Sequence, residues 1–229
     1  MQHLRQHLVI DGDDTLWENN VYFEDAAEEF VDLHDHSTLS RIEVRSVLDE
    51  VERANLGVHG YGSAAFGRNL EETFHRLAER HPATDELDRV RELGRRILAQ
   101  PMEIRPGVEE TLRHLAPRHD LTLFTKGHPE EQQLKVDRSG LAGYFARVVV
   151  TPEKDEGAYR RLLADHGLEA SQTWMIGNSP RSDVNPALAA GLRAVYIPHP
   201  RTWSLEVEEL VESDRLVILE TFSQLTGLF

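Results

Sequence analysis

The sequence of 229 residues predicts an α/β fold: a Rossmann-like three-layer α/β/α core with a mostly parallel sheet, carrying an inserted α-helical domain. Three observations lead there. An apolar run, Leu8-Val9-Ile10, stops abruptly on Asp11-Gly12-Asp13-Asp14-Thr15, and continuous apolarity marks a strand covered on both faces. Residues 18–104 then keep helical spacing without strands. From Pro106-Gly107 onward, short apolar runs alternate with single helical segments, the rhythm of a parallel sheet covered by helices on both sides.

The elements follow in order. Phe23, Ala26, Ala27, Phe30, Val31 and Leu33 make one apolar stripe at helical spacing. Ser40-Arg41-Ile42-Glu43 has the spacing of a capping box and opens a second helix through Val44, Val47, Leu48 and Val51. Gly57, Gly60, Gly62 and Gly67 predict a turning stretch over residues 56–67, after which Leu70, Phe74, Leu77 and Ala78 resume the helical period. Beyond Pro82, residues 85–100 form a fourth helix, with acids in its first turn and Arg95 and Arg96 near its last. In the second half, Val108, Leu112 and Leu115 mark a helix, and residues 121–124 a strand ending on Thr125-Lys126-Gly127. Residues 134–141 close a helix, Val148-Val149-Val150 is a strand followed by Glu153-Lys154, and Tyr159, Leu162 and Leu163 begin the next helix. Trp174-Met175-Ile176 is a strand ending on Gly177-Asn178-Ser179, residues 184–190 are helical, and residues 194–197 and 216–219 are the last strands. The first strand has no partner in the helical block, so it joins the later group. The expected domains are a discontinuous core, 1–16 with 104–229, and a helical insert, 17–103.

Forty acidic against 25 basic residues give a net charge of −15, which repels a nucleic-acid backbone and argues against such a partner. No run approaches the roughly 18 apolar residues of a membrane span, and residues 1–6 lack the apolar core of a signal peptide; a cytoplasmic protein without membrane association is expected. The absence of cysteine excludes disulfides, thiolate metal sites and cysteine nucleophiles. The histidines are scattered, and none is assigned to a metal. Trp203 reads as core packing and residues 206–212 as a helix with a solvated acidic face.

Four strand ends collect polar clusters: Asp11-Gly12-Asp13-Asp14-Thr15, Thr125-Lys126, Lys154, and Asn178 with Asp183. Three aspartates within four residues repel one another, so a positive charge must compensate them, and a divalent cation is the economical candidate. In order, spacing and strand context these clusters resemble the haloacid dehalogenase-like superfamily of phosphohydrolases. The first is similar to that family's Asp-x-Asp-x-Thr motif, Thr125 matches the hydroxyl residue of its second motif, and Lys154 matches the lysine of its third. Gly177-Asn178-Ser179-Pro180-Arg181-Ser182-Asp183 is similar to its fourth, a loop that holds magnesium. Two positions depart from the pattern. Asn178 stands where an acid is common, and Asp14 replaces a frequent glycine and reads as outward-facing or capping an amide.

The resemblance implies a division of labour that phosphate-ester chemistry also requires. Asp11 would be the nucleophile, forming an aspartyl-phosphate. Asp13 would protonate the leaving oxygen and later deprotonate water, a reversal that needs a carboxyl poised near neutrality, with burial and neighbouring charge raising its pKa. Mg2+ would be held by Asp11, the backbone carbonyl of Asp13, and Asp183, with Asn178 acting through water. Lys154 would offset the charge of nucleophile and phosphate, and Thr125 would hold phosphoryl oxygens with nearby amides. Gly12, Lys126 and Asn178 are the candidate substrate-binding residues. Lys126 either faces the phosphate or merely follows the motif hydroxyl, and Lys135, in a helix, reads as surface. Dehalogenase relatives lack an aspartate two positions after the nucleophile, so Asp13 favours phosphoester chemistry. The expected activity is a Mg-dependent phosphatase acting on a small phosphorylated metabolite; the alternatives are a phosphomutase and a catalytically silent module binding a phospho-ligand or a protein. In relatives with this layout the helical insert acts as a cap, which implies hinges at residues 16–19 and 103–106 and puts Tyr61, Phe66 and Arg68 toward the substrate.

Overall fold

The computed structural model describes residues 5–34 and 36–229; residues 1–4, part of the stretch read above for a signal peptide, lie outside the described residues. The chain divides into two compact units, Met1–Glu18 with Met102–Phe229, and Asn19–Pro101.

The first unit is built on a six-stranded sheet in the order β3-β2-β1-β4-β5-β6, with every pairing parallel. The strands are β1 (His7–Ile10), β2 (Asp120–Lys126), β3 (Arg147–Thr151), β4 (Thr173–Gly177), β5 (Arg193–Tyr196) and β6 (Leu216–Ile218). The helices alternate with the later strands. After the insert comes α5 (Val108–Leu115), then α6 (Pro129–Ser139) after β2, α7 (Glu156–His166) after β3, α8 (Asn185–Ala189) after β4, and a terminal α9 (Leu225–Leu228). Strand β1 is central, and its Leu8, Val9 and Ile10 are wholly buried because the two faces are covered by different partners. Leu8 and Ile10 share a cluster with Leu112 and Leu115 of α5, while Val9 packs with Tyr159 and Leu162 of α7. From β1 the chain steps outward through β2 and β3, then returns to β4 on the other side. That reversal beside β1 is the topological switch point at which open α/β sheets bind ligands. Register completes the placement: Ile10 lies level with Leu123 of β2 and Ile176 of β4, so the polar residues that follow all three emerge on one edge of the sheet.

The second unit is a bundle of α1 (Asn20–Leu33), α2 (Arg41–His59), α3 (Ser63–Leu77) and α4 (Thr84–Ile97). Phe30, Leu48, Leu70, Phe74, Val90 and Leu93 form its core. The capping box is present: the Glu43 amide donates to the Ser40 hydroxyl, and the Ser40 amide to the Glu43 carboxylate at 2.8 Å. The glycine-rich stretch is a correction to the expected turn. Helix α2 runs through Gly57 to His59 and α3 runs through Gly67, leaving only residues 60–62 between them. Gly67 serves packing instead of turning, because a Cβ added at Gly94 of α4 would lie 2.7 Å from the Gly67 Cα. Phe66 is likewise core, edge-on to Phe23 at 5.2 Å. None of the helices of the described residues is long and apolar enough to cross a membrane.

Glu52 of α2 is 8% exposed. Burial, with Asp49 and Glu24 adding and Arg45 opposing, pushes its carboxyl up to about 7. Folding therefore favours the protonated acid: this stabilisation is complete below the unfolded value near 4.5 and is lost as pH rises through 7. Glu52→Gln is expected to flatten that dependence and to stabilise the protein at pH 8 by about 1–3 kcal/mol, read from urea unfolding at pH 5 and pH 8.

Candidate active site

Asp11 follows the last residue of β1, and its amide donates to the Ile176 carbonyl at 3.0 Å, extending the sheet one step. The chain then doubles back. The Thr15 and Leu16 amides both donate to the Gly12 carbonyl, at 3.2 and 2.8 Å. Gly12 is required here because a Cβ would sit 2.7 Å from the Trp17 ring. Asp14 takes a left-handed φ of 60° and is buried, its carbonyl accepting from Arg105. The outward-facing reading of Asp14 is thus wrong: the turn that glycine commonly makes is made here by an aspartate, a residue that tolerates this conformation.

Lys154 bridges the two halves of the site. It is 2% exposed, and its ammonium donates to Asp11 and, at 2.8 Å, to Asp183 Oδ1. Burial alone would lower the lysine's pKa; the two carboxylates overturn that and raise it. Asp11 is pushed up to about 7, first by burial, then by the charge of Asp183, with Lys154 opposing. Two buried carboxylates share one cation, and the excess negative charge is what burial penalises. The fourth-motif loop is shaped around Asp183. Residues Pro180–Val184 form one π-type turn, the Ser179 amide donates to Asp183 Oδ2 at 3.0 Å, and Gly177 has no Cβ, which would otherwise lie 2.2 Å from that oxygen. Thr15 Oγ1 stands 3.0 Å from Asp11 Oδ2 and 3.1 Å from Asn178 Oδ1, tying the first motif to the fourth.

Asp13 is held elsewhere, by α6. Its Oδ1 accepts from Trp17 Nε1 at 2.7 Å, its Oδ2 from Gln132 at 3.0 Å, and Lys135 Nζ lies 3.1 and 2.8 Å from the two oxygens. Two expectations are corrected by this. Lys135 is not surface but buried. Burial does act to raise Asp13, but Lys135's charge and hydrogen bonds, with those of Gln132 and Trp17, outweigh it and hold the carboxyl below the ordinary range. Thr125, also buried, donates its hydroxyl to Gln132 Oε1 at 3.0 Å.

Lys126 has partners on the fourth-motif side. Its ammonium pairs with Glu206 and donates to Ser182 Oγ at 2.7 Å. Glu206 is buried, accepts from Ser179 Oγ at 2.5 Å, and is held low by Lys126 and these hydroxyls against the opposing effect of burial. The acidic stretch 206–212 is therefore not a solvated helix. It begins in a short 3-10 turn, Ser204–Glu206, and continues without regular structure. Trp203 is half-buried. A set of acid and imidazole ligand atoms within 4.8 Å of one another involves different residues from those expected: Asp14, Glu18 and His199. Its members are already engaged, with His199 Nε2 3.0 Å from Glu18 and Arg105 Nε 3.4 Å from the other Glu18 oxygen.

The structure thus gathers Asp11, Lys154, Asp183, Asn178 and Thr15 into one buried network and links Thr125 to Asp13 through Gln132. Sequence reasoning missed Gln132, Lys135 and Glu206; the one signal available was that Lys135 is among only three lysines.

The family model of haloacid dehalogenase-like hydrolases matches residues 6–191. The chain belongs to this family. The haloacid dehalogenase-like family hydrolase from Xanthomonas campestris has a solved structure that is 33% identical, superposes with a TM-score of 0.87, and is covered over 90% of its length by 98% of this chain. The phosphoserine phosphatase of Thermus thermophilus is 30% identical over 142 residues, 59% of this chain and 49% of that protein; the chain spans about half the length of this curated relative. The haloacid dehalogenase-like fold also appears in the L-2-haloacid dehalogenase of Xanthobacter autotrophicus, with 15% identity, 98% of each chain covered and a TM-score of 0.67. That likeness is one of fold.

Proposed function

We propose that the protein is a Mg-dependent phosphatase that hydrolyses a small phosphorylated metabolite through an aspartyl-phosphate on Asp11. The observation that carries this reading is the buried Asp11–Lys154–Asp183 network at the switch point, with Asp13 two residues beyond the nucleophile. The residues fit the ion. Asp11 and Asp183 offer hard carboxylate oxygens, their charge exceeds that of Lys154, and Gly177 leaves the space in which Asp183 stands. Asp11, Asp183 and the Asp13 carbonyl would hold Mg2+, with Asn178 reaching it through water; the ion supplies charge neutralisation at the phosphoryl oxygens.

In the first step an Asp11 oxygen attacks phosphorus while the ester P–O bond breaks, and the leaving oxygen takes its proton from Asp13. In the second, Asp13 accepts a proton from the attacking water, the acyl-phosphate P–O bond breaks, and inorganic phosphate departs. The ionised carboxylate of Asp13, with donors on both oxygens, is the form needed for that second step; for the first it takes up a proton from solvent and passes it to the leaving oxygen. Lys154 keeps Asp11 ionised and positioned, and Thr125 turns its hydroxyl from Gln132 to a phosphoryl oxygen. Asp13 also speaks against dehalogenation, in which no leaving oxygen requires a proton. The helical unit is assigned substrate selection as a cap, as in relatives of this layout.

The test is phosphate release from sugar phosphates, nucleotides, phosphoglycolate and phosphoserine, with Mg2+ or with a chelator, beside chloride release from 2-chloropropionate. Magnesium-dependent hydrolysis of at least one ester without chloride release is expected. Inactivity on every ester, isomer formation without phosphate release, or dehalogenation would overturn the reading.

A further inference from the structure

Helix α6 presents Gln132 and Lys135 three residues apart, hence on one face, and both are buried although the helix is otherwise polar. Burying a lysine and a glutamine is costly unless both are fully engaged. Both are engaged with Asp13, and Gln132 is bifunctional: its amide nitrogen donates to Asp13 Oδ2 and its carbonyl oxygen accepts from Thr125, each at 3.0 Å. The second motif makes room for it. Gly127 has φ 136°, and a Cβ there would lie 3.0 Å from Gln132 Nε2. Trp17 and Lys135 donate to Asp13 Oδ1, while Gln132 and Lys135 donate to Oδ2, so the carboxylate has no oxygen left without a donor.

We propose that Gln132 and Lys135 are positioning residues for the proton transfers of Asp13, and that Gln132 couples the carboxyl to the phosphate-binding hydroxyl of Thr125. The inference rests on the phosphatase reading. When Thr125 turns its hydroxyl to a phosphoryl oxygen, Gln132 loses its donor and can shift, leaving Asp13 Oδ2 with Lys135 but without Gln132; a proton taken up from solvent at that oxygen then passes to the leaving group. Lys135 spans both oxygens and, with Trp17 on Oδ1, fixes the carboxyl's angle throughout. Proton transfer is thereby tied to the arrival of a phosphoryl group.

The leaving group separates this role from a structural one. An alkoxide leaving from ethyl phosphate needs its proton; p-nitrophenolate leaving from p-nitrophenyl phosphate scarcely does. For Gln132→Leu and Lys135→Met, kcat/KM with Mg2+ is expected to fall at least about tenfold on ethyl phosphate and less than about threefold on p-nitrophenyl phosphate. In an Asp13→Asn background neither substitution should cost anything further. Equal losses on both esters, or added loss in that background, would overturn the proposal while leaving the phosphatase reading intact. A wild-type protein inactive on both these esters and on the wider panel overturns both. If Lys135→Met does not fold, Gln132→Leu carries the same contrast alone.

Discussion

Replacement of Asp11 by asparagine is expected to lower magnesium-dependent phosphate release by about 10⁴-fold or more, while leaving a folded protein. Asparagine has the shape of the aspartate but cannot form an acyl-phosphate. Its cost to the fold is small because Lys154 keeps Asp183 as a partner, and removing one of two carboxylates relieves the charge excess that pushes Asp11 up to about 7. The comparison is made by single-turnover phosphate release on the best ester, with urea unfolding to show the variant folded. Retention of more than about a tenth of the activity would exclude Asp11 as the nucleophile.

The second large effect is on stability. Lys154→Met removes the one cation between two buried carboxylates, and breaking a buried pair by removing a partner costs about 3–5 kcal/mol because the remaining charge has no compensation. The loss has a pH signature. An acid whose folded pKa is raised contributes stability that is complete below its unfolded value, near 3.8 for aspartate, and is lost as pH rises through the folded value. Without the lysine, which opposes the rise, Asp11 moves further in that direction, so the deficit in urea unfolding should be larger at pH 8 than at pH 5. Added Mg2+ should restore part of it, by binding the folded state. A variant as stable as the wild type at pH 8 would mean that Lys154 is not the counter-charge of this site.

Much of the frame was legible because its causes are local to the chain. A strand buried on both faces must be apolar throughout, and a polar cluster at its end has few purposes, so β1, β2 and β4 announced themselves together with Asp11, Thr125 and Asp183. The capping box of α2 is likewise a three-residue signal. What was not legible arises between elements. Gln132 and Lys135 lie on a polar helix and look solvated until α6 is laid beside Asp13. The pKa of Asp13 was misjudged for the same reason: its aspartate neighbours are visible along the chain, its lysine is not. The 206–212 stretch has helical spacing, but its backbone is captured from outside. Asn185 donates to the Glu209 carbonyl at 2.9 Å and accepts from the Val211 amide at 3.0 Å, which competes with intrahelical bonding.

The central position of β1 also has a bearing on how the molecule is made. Its neighbours in the sheet are residues 120–123 and 173–176, so β1, synthesised before both, waits for partners far along the chain, and such distant pairings are slow to close. The helical unit, Asn19–Pro101, holds its own apolar core, and the contacts of that core are available early in synthesis. Asp11, Lys154 and Asp183 meet only when β4 and its loop have joined the sheet. A ribosome-bound chain that ends before residue 173 therefore carries a complete helical bundle but not the Asp11–Lys154–Asp183 network.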